Sequence, residues 1–333
     1  MMKVARPTTI TDKTLNRIIL IAGLGLLIGI PLFVGFYFLD RHVTAAPAIA
    51  DQHVAAAEAL VKTNPTDEAA RDALAAAYVS AGRFQDGVDQ FTEALRITAT
   101  DRAALLGRGI AYYQLKQYDN AAKDLQTFIT NNSSGEFAKT DPQLERTYYE
   151  LGVVQAEQGK WADSVASEES ALKIDAGDAD ALYQLGVGLT KTGDPVKAAK
   201  ALQQAVAFVP TGWCDPYQAM VDAYAAQSSA GGTAYANGMV AMCKGDFTTA
   251  SALLKPLTSS KDFGVNALLG LALSAARSGD NAGATAYYKQ VLAQDPTNQS
   301  AVIGLSLITS SSASPASNSA QPPSASPAPS ESN

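Results

Sequence analysis

The feature that most constrains this chain is a small residue that returns in fixed register. Ala75, Gly109, Gly152, Gly186, Gly238 and Ala272 are separated by steps of 34, 43, 34, 52 and 34 residues. A second series, Gly87, Ala121, Ser164, Ala198, Ala250 and Ala284, has the same steps. Two separate slots therefore share one period of 34, with insertions of 9 and 18 residues at the same two places. A period of this length means stacked units rather than one globular core.

Each unit reads as two antiparallel helices. Small residues let the helices cross closely, while Tyr78, Tyr112, Tyr148 and Leu182 fill the space between them at helical spacing. Gly82, Gly159, Gly193, Gly245 and Gly279 stand where the first helix ends and a left-handed cap is wanted. Phe84, Tyr118, Trp161 and Phe247 open the second helix, and Pro210 and Pro296 stop second helices. Two slots depart from the pattern. Lys116 replaces a turn glycine and Asn281 replaces a turn aromatic.

These residues resemble the tetratricopeptide repeat family over roughly residues 51–309. The resemblance implies an all-α fold, a right-handed α-solenoid of about six helix-turn-helix repeats. They fall at about 68–100, 101–130, 144–177, 178–210, 231–262 and 264–297. Ala50–Val61 reads as a lone second helix, its first-helix place falling to the preceding segment. The shorter insertion, Asn131–Pro142, has loop chemistry, with Asp141 or a neighbour capping the next helix. The longer one carries an extra helix at 214–228, because Tyr217, Met220, Val221 and Tyr224 recur at helical spacing. A closing helix is predicted at 299–308. Residues 310–333 contain 20 Ser, Ala and Pro among 24, which predicts a disordered tail.

Ahead of the repeats, Ile18–Leu39 is 22 residues without a charge. As a helix that is about 33 Å, enough to cross a bilayer core. Lys3, Arg6, Lys13 and Arg17 precede it and Arg41 follows, so residues 1–17 are expected in the cytoplasm and the repeats outside it. Residues 40–50 would form a juxtamembrane hinge. The alternative is a cleaved signal peptide with small residues at Ala46, Ala48 and Ala50. Gly25 and Gly29 could pair two such helices, so a homo-oligomer stays open.

Composition narrows the function. A net charge of −7 disfavours nucleic acid, and two histidines with two cysteines leave no classical zinc set. No phosphate loop and no nucleophile with its base is found, so the chain is read as neither an enzyme nor a cofactor binder. Glu168 and Glu169 are taken as a solvated helix face. Cys214 opens one helix and Cys243 closes the next, ends that are neighbours in an antiparallel pair. A disulfide and two buried thiols are both open.

The resemblance also implies a binding face lined by first helices. Its residues here are Leu106, Ile110, Tyr113, Tyr149, Val153, Tyr183, Val187, Thr190, Tyr235, Met239 and Met242. Tyr149, Tyr183 and Tyr235 share one slot and would form an aromatic ladder for a protein or peptide segment. Alternatively, these side chains fill the inner curvature or meet the tail or a second copy. The family's carboxylate clamp has no counterpart, because its slots hold Ala76, Ile110, Val153 and Val187. The expected role is a membrane-anchored scaffold or assembly factor for an envelope or secreted protein. A holdase-like chaperone and a self-associating envelope protein are the alternatives.

Overall fold

The computed structural model describes residues 49–208 and 213–313. The cytoplasmic stretch 1–17, the span Ile18–Leu39, most of the hinge and the tail beyond residue 313 lie outside the described residues. Among the described residues there are fifteen α-helices, two short 3₁₀ turns and no strand. None of these helices is long and apolar enough to cross a membrane.

The chain opens with α1 (Ile49–Thr63), then α2 (Glu68–Ser80) and α3 (Phe84–Ile97), α4 (Arg102–Gln114) and α5 (Tyr118–Asn132). It continues through α6 (Pro142–Glu157) and α7 (Trp161–Leu172), then α8 (Ala179–Thr192) and α9 (Pro195–Phe208). The inserted helix is α10 (Asp215–Ala226). Then come α11 (Ala230–Cys243), α12 (Phe247–Leu254), α13 (Gly264–Arg277), α14 (Asn281–Gln294) and α15 (Gln299–Ala313). Each helix packs on the next, and first helices also pack side by side: α2 on α4, α4 on α6, α6 on α8. The core is accordingly a string of clusters along the stack. The closing helix runs five residues past its expected end, into the serine stretch read as tail. Ser310 Oγ donates to the Leu307 carbonyl, and no breaker intervenes before Pro315.

Aspartates set the starts of the helices. Asp67, Asp101, Asp141, Asp178, Asp246 and Asp280 each accept backbone N–H groups of the following first turn. The five turn glycines all have positive φ, between 72° and 86°. Lys116 takes the same conformation, φ 57°, although it carries a Cβ. The 9-residue insertion is held by Arg102, which reaches Asp141, Gln143 and Asn132 and lies over the Phe128 ring.

The period acquires its meaning in the helix crossings. A Cβ on Gly109 would lie 2.9 Å from Leu125, one on Gly186 2.5 Å from Leu202, and one on Gly238 2.7 Å from Leu254. In these repeats the glycine faces the residue 16 positions later, and at the two ends of the array the corresponding residues share a buried cluster. Ala75 and Phe91 lie in one cluster and Ala272 and Tyr288 in another, all buried. The third repeat breaks the series. Gly152 faces Glu168, whose Oε1 would lie 2.1 Å from an added Cβ.

Glu168 therefore occupies a slot that is apolar in the other five repeats, and it is fully buried. This corrects the expectation of a solvated face, which holds for Glu169 alone. Neither carboxyl oxygen has a hydrogen-bond donor. Burial, then the charges of Asp178, Glu145 and Glu150, push its pKa up to about 10. It is thus protonated in the folded chain at neutral pH. The folded state holds this proton where the unfolded chain has lost it, so stability is full below the unfolded carboxyl range and falls as pH rises.

Three outcomes are expected. Lys116→Gly should stabilise the chain by roughly 0.5–1 kcal/mol in urea melts, because it removes a left-handed Cβ. Native stability should fall from pH 5 to pH 8, with Glu168 contributing up to about 1.4 kcal/mol per pH unit. Glu168→Leu should flatten that slope and stabilise by at least about 2 kcal/mol at pH 8. An unchanged slope would contradict the burial of an unpaired carboxyl.

Candidate functional site

The first helices α4, α6 and α8 lie side by side. They carry Ile110, Tyr113, Tyr149, Val153, Tyr183, Val187 and Thr190, all half-buried. Seven of the eleven residues expected on a binding face thus keep part of each side chain open. The other four do not. Leu106, Tyr235, Met239 and Met242 are 8, 5, 2 and 0% exposed and belong to the core.

Leu106, on α4, is buried in the cluster around Leu125 and Phe128, and the other three belong to the cluster that the inserted helix joins. α10 packs on α9 and also on α8, the place a first helix would hold. It brings Tyr217 and Tyr224 over α11, where Tyr235 stacks on Phe263 at 5.8 Å and Tyr224 meets the same ring edge-on at 5.5 Å. Met239 closes against Gly270, and Met242 Sδ lies 3.4 Å from the Arg277 guanidinium. Of the three tyrosines expected in a ladder, Tyr149 and Tyr183 stay half-buried and Tyr235 does not. Trp213 supplies a further aromatic, edge-on to Tyr183 with centroids 5.1 Å apart. Its position in the connector before α10 is outside the repeat pattern, so periodicity gave it no role.

Cys214 and Cys243 are joined as a disulfide with Cα atoms 5.8 Å apart. The bridge ties the start of α10 to the end of α11, beside Trp213.

Carboxylates surround the aromatics. Burial, then Asp180 and Glu150, raise the Tyr149 hydroxyl above the usual phenol range. Burial and Asp215 do the same to Tyr183. Glu150 lies next to Tyr149 in sequence, and burial raises its carboxyl although Arg146 at 3.4 Å opposes this. The face is therefore both aromatic and acidic.

Acids also meet where one first helix packs on the next. Glu145 of α6 faces Asp178, the cap of α8. Burial and then Asp178 push Glu145 up to about 8. Asp72 of α2 faces Asp101, the cap of α4, and burial, then Asp101 and Glu68, push Asp72 up to about 7. Neither pair was anticipated. The signal available in the sequence was an acid in the first turn or two of a first helix, with an aspartate cap opening the next one.

The family model for tetratricopeptide repeats matches residues 73–136, 149–212 and 235–299. Small glutamine-rich tetratricopeptide repeat-containing protein 2 of Saccharomyces cerevisiae is 27% identical over 96 residues, 29% of this chain. The chain spans 25% of the length of that curated relative. Similar solved structures include MamA, 19% identical with a TM-score of 0.43, covering 54% of this chain and 93% of that one. YrrB, described as a TPR protein with an unusual peptide-binding site, is 13% identical with a TM-score of 0.41, covering 75% and 98%. A tetratricopeptide repeat protein from Parabacteroides merdae is 13% identical with a TM-score of 0.46, covering 82% and 95%. With the family model matched over more than half of its length and twelve of the fifteen described helices paired in the same register, the chain belongs to the tetratricopeptide repeat family.

Proposed function

We propose that the chain is a membrane-anchored interaction scaffold, and that the side shared by α4, α6 and α8 holds a segment of an envelope or secreted protein. The observation that carries this reading is the half-open aromatic set Tyr149, Tyr183 and Trp213 set among Glu150, Asp180 and Asp215. Rigid rings with polar edges give contact area at small entropic cost, and the carboxylates favour a partner segment that is apolar and basic. The burial of Met239 and Met242 removes the adaptable lining that a holdase would use, so a dedicated partner is the better reading.

The anchor is Ile18–Leu39, supported by its 22 uncharged residues and by the basic residues before it. The scaffold then stands outside the cytoplasm, where the Cys214–Cys243 bridge would persist.

A photoreactive residue at position 183 in living cells tests both parts. One dominant envelope partner is expected, lost when Tyr149 and Trp213 become Ala, from a chain that stays with membranes in alkaline carbonate. The two cysteines should resist alkylation until reduced. Crosslinks to many unrelated clients would favour the chaperone, and crosslinks to copies of this chain alone would favour self-assembly. Free alkylation in intact cells would contradict the location.

A further inference from the structure

We propose that Glu68, Asp72 and Asp101 form a binding site for a hard divalent cation, with calcium the best fit. One carboxylate oxygen from each lies within 4.8 Å of the other two. Two ligands of one calcium ion, each at about 2.4 Å, are separated by no more than about 4.8 Å, so each pair of oxygens meets the distance bound for sharing one ion. All three donors are oxygen, which suits calcium, magnesium or manganese and not the softer zinc or copper.

The site is held by the fold. Glu68 and Asp72 lie one turn apart on α2. Asp101 caps α4, and its Oδ1 accepts from the Ala103 N–H at 2.8 Å and the Ala104 N–H at 3.2 Å. That contact fixes the carboxylate and leaves Oδ2 for the cluster. Thr98 Oγ1 donates to Glu68 Oε2 and steadies the third ligand.

A second observation points to a missing positive charge. Asp101 is nine-tenths buried, and its Oδ2 has no hydrogen-bond donor. Asp72 Oδ1 is buried and equally without one. The neighbouring guanidinium groups are engaged elsewhere. Arg71 donates to the Pro65 carbonyl at 3.0 Å and to Gln90 Oε1 at 3.1 Å, while Arg102 reaches Asp141. Three carboxylates converge with no ion-paired side-chain cation among the described residues, which is costly unless a proton or a metal ion intervenes.

A shared proton is the competing account, since Asp72 is raised to about 7. Calcium binding to the full chain at pH 8 separates the two. Calorimetry of the chelator-treated chain should show one saturable site with a Kd at or below about 1 mM, the weak end of protein calcium sites. The melting temperature should rise with calcium. Asp72→Asn should weaken binding at least tenfold and abolish that rise. In chelator this variant should melt no lower than the native chain, because it removes one of the opposed charges, so its loss of binding would not be a loss of fold. Glu68→Gln should weaken binding in the same direction. No saturable heat, or undiminished binding in Asp72→Asn, would overturn the proposal and leave a pair of acids sharing a proton.

Discussion

The structure depends on one contact repeated along the chain: a residue with little or no side chain on the first helix, set against a large side chain 16 positions later on the second. Gly109 with Leu125, Gly186 with Leu202 and Gly238 with Leu254 bring the helix backbones within a distance that a Cβ would violate. The large partner fills the space that the small one leaves, so close crossing and dense packing are achieved together. Once this pairing sets the hairpin, first helices stack on first helices. The half-open side chains of α4, α6 and α8 are the ones proposed to meet a partner.

Much of this was legible in the residues, because a repeat states its rules several times. The turn glycines mark positions where φ is positive, and Lys116 shows that the position rather than the residue fixes the conformation. What periodicity could not supply was the effect of an insertion. Tyr235 shares a slot with Tyr149 and Tyr183, and Met239 and Met242 follow at helical spacing. Yet α10 enters beside α8 and covers that stretch, so identical slots end in different surroundings. Sequence spacing records where a residue lies on its own helix; it does not record what an inserted helix lays over it.

Glu168 teaches the opposite lesson. Its burial was readable, since Phe91, Leu125, Leu202, Leu254 and Tyr288 hold its slot elsewhere. Treating it as one half of an acidic pair with Glu169 hid the fact that adjacent helical residues face different ways. The chain carries several such unneutralised acids, at Asp72, Glu145 and Glu168, all inside or between helices. Each costs stability as pH rises, so the third repeat and the start of the stack are held less firmly than an apolar solenoid would be. The proposed binding face, with Tyr149 and Glu150, is built on that same third repeat.

The claim that the crossing contact organises the stack locally, neighbour by neighbour, is tested most directly by amide hydrogen exchange on Gly186→Val. The added side chain would press on Leu202, where even a Cβ comes within 2.5 Å. The account predicts lost protection in α8 and α9 and in the adjoining α7 and α10, with α2, α3, α13 and α14 exchanging as before. Protection lost evenly along the chain, or not lost at all, would contradict it.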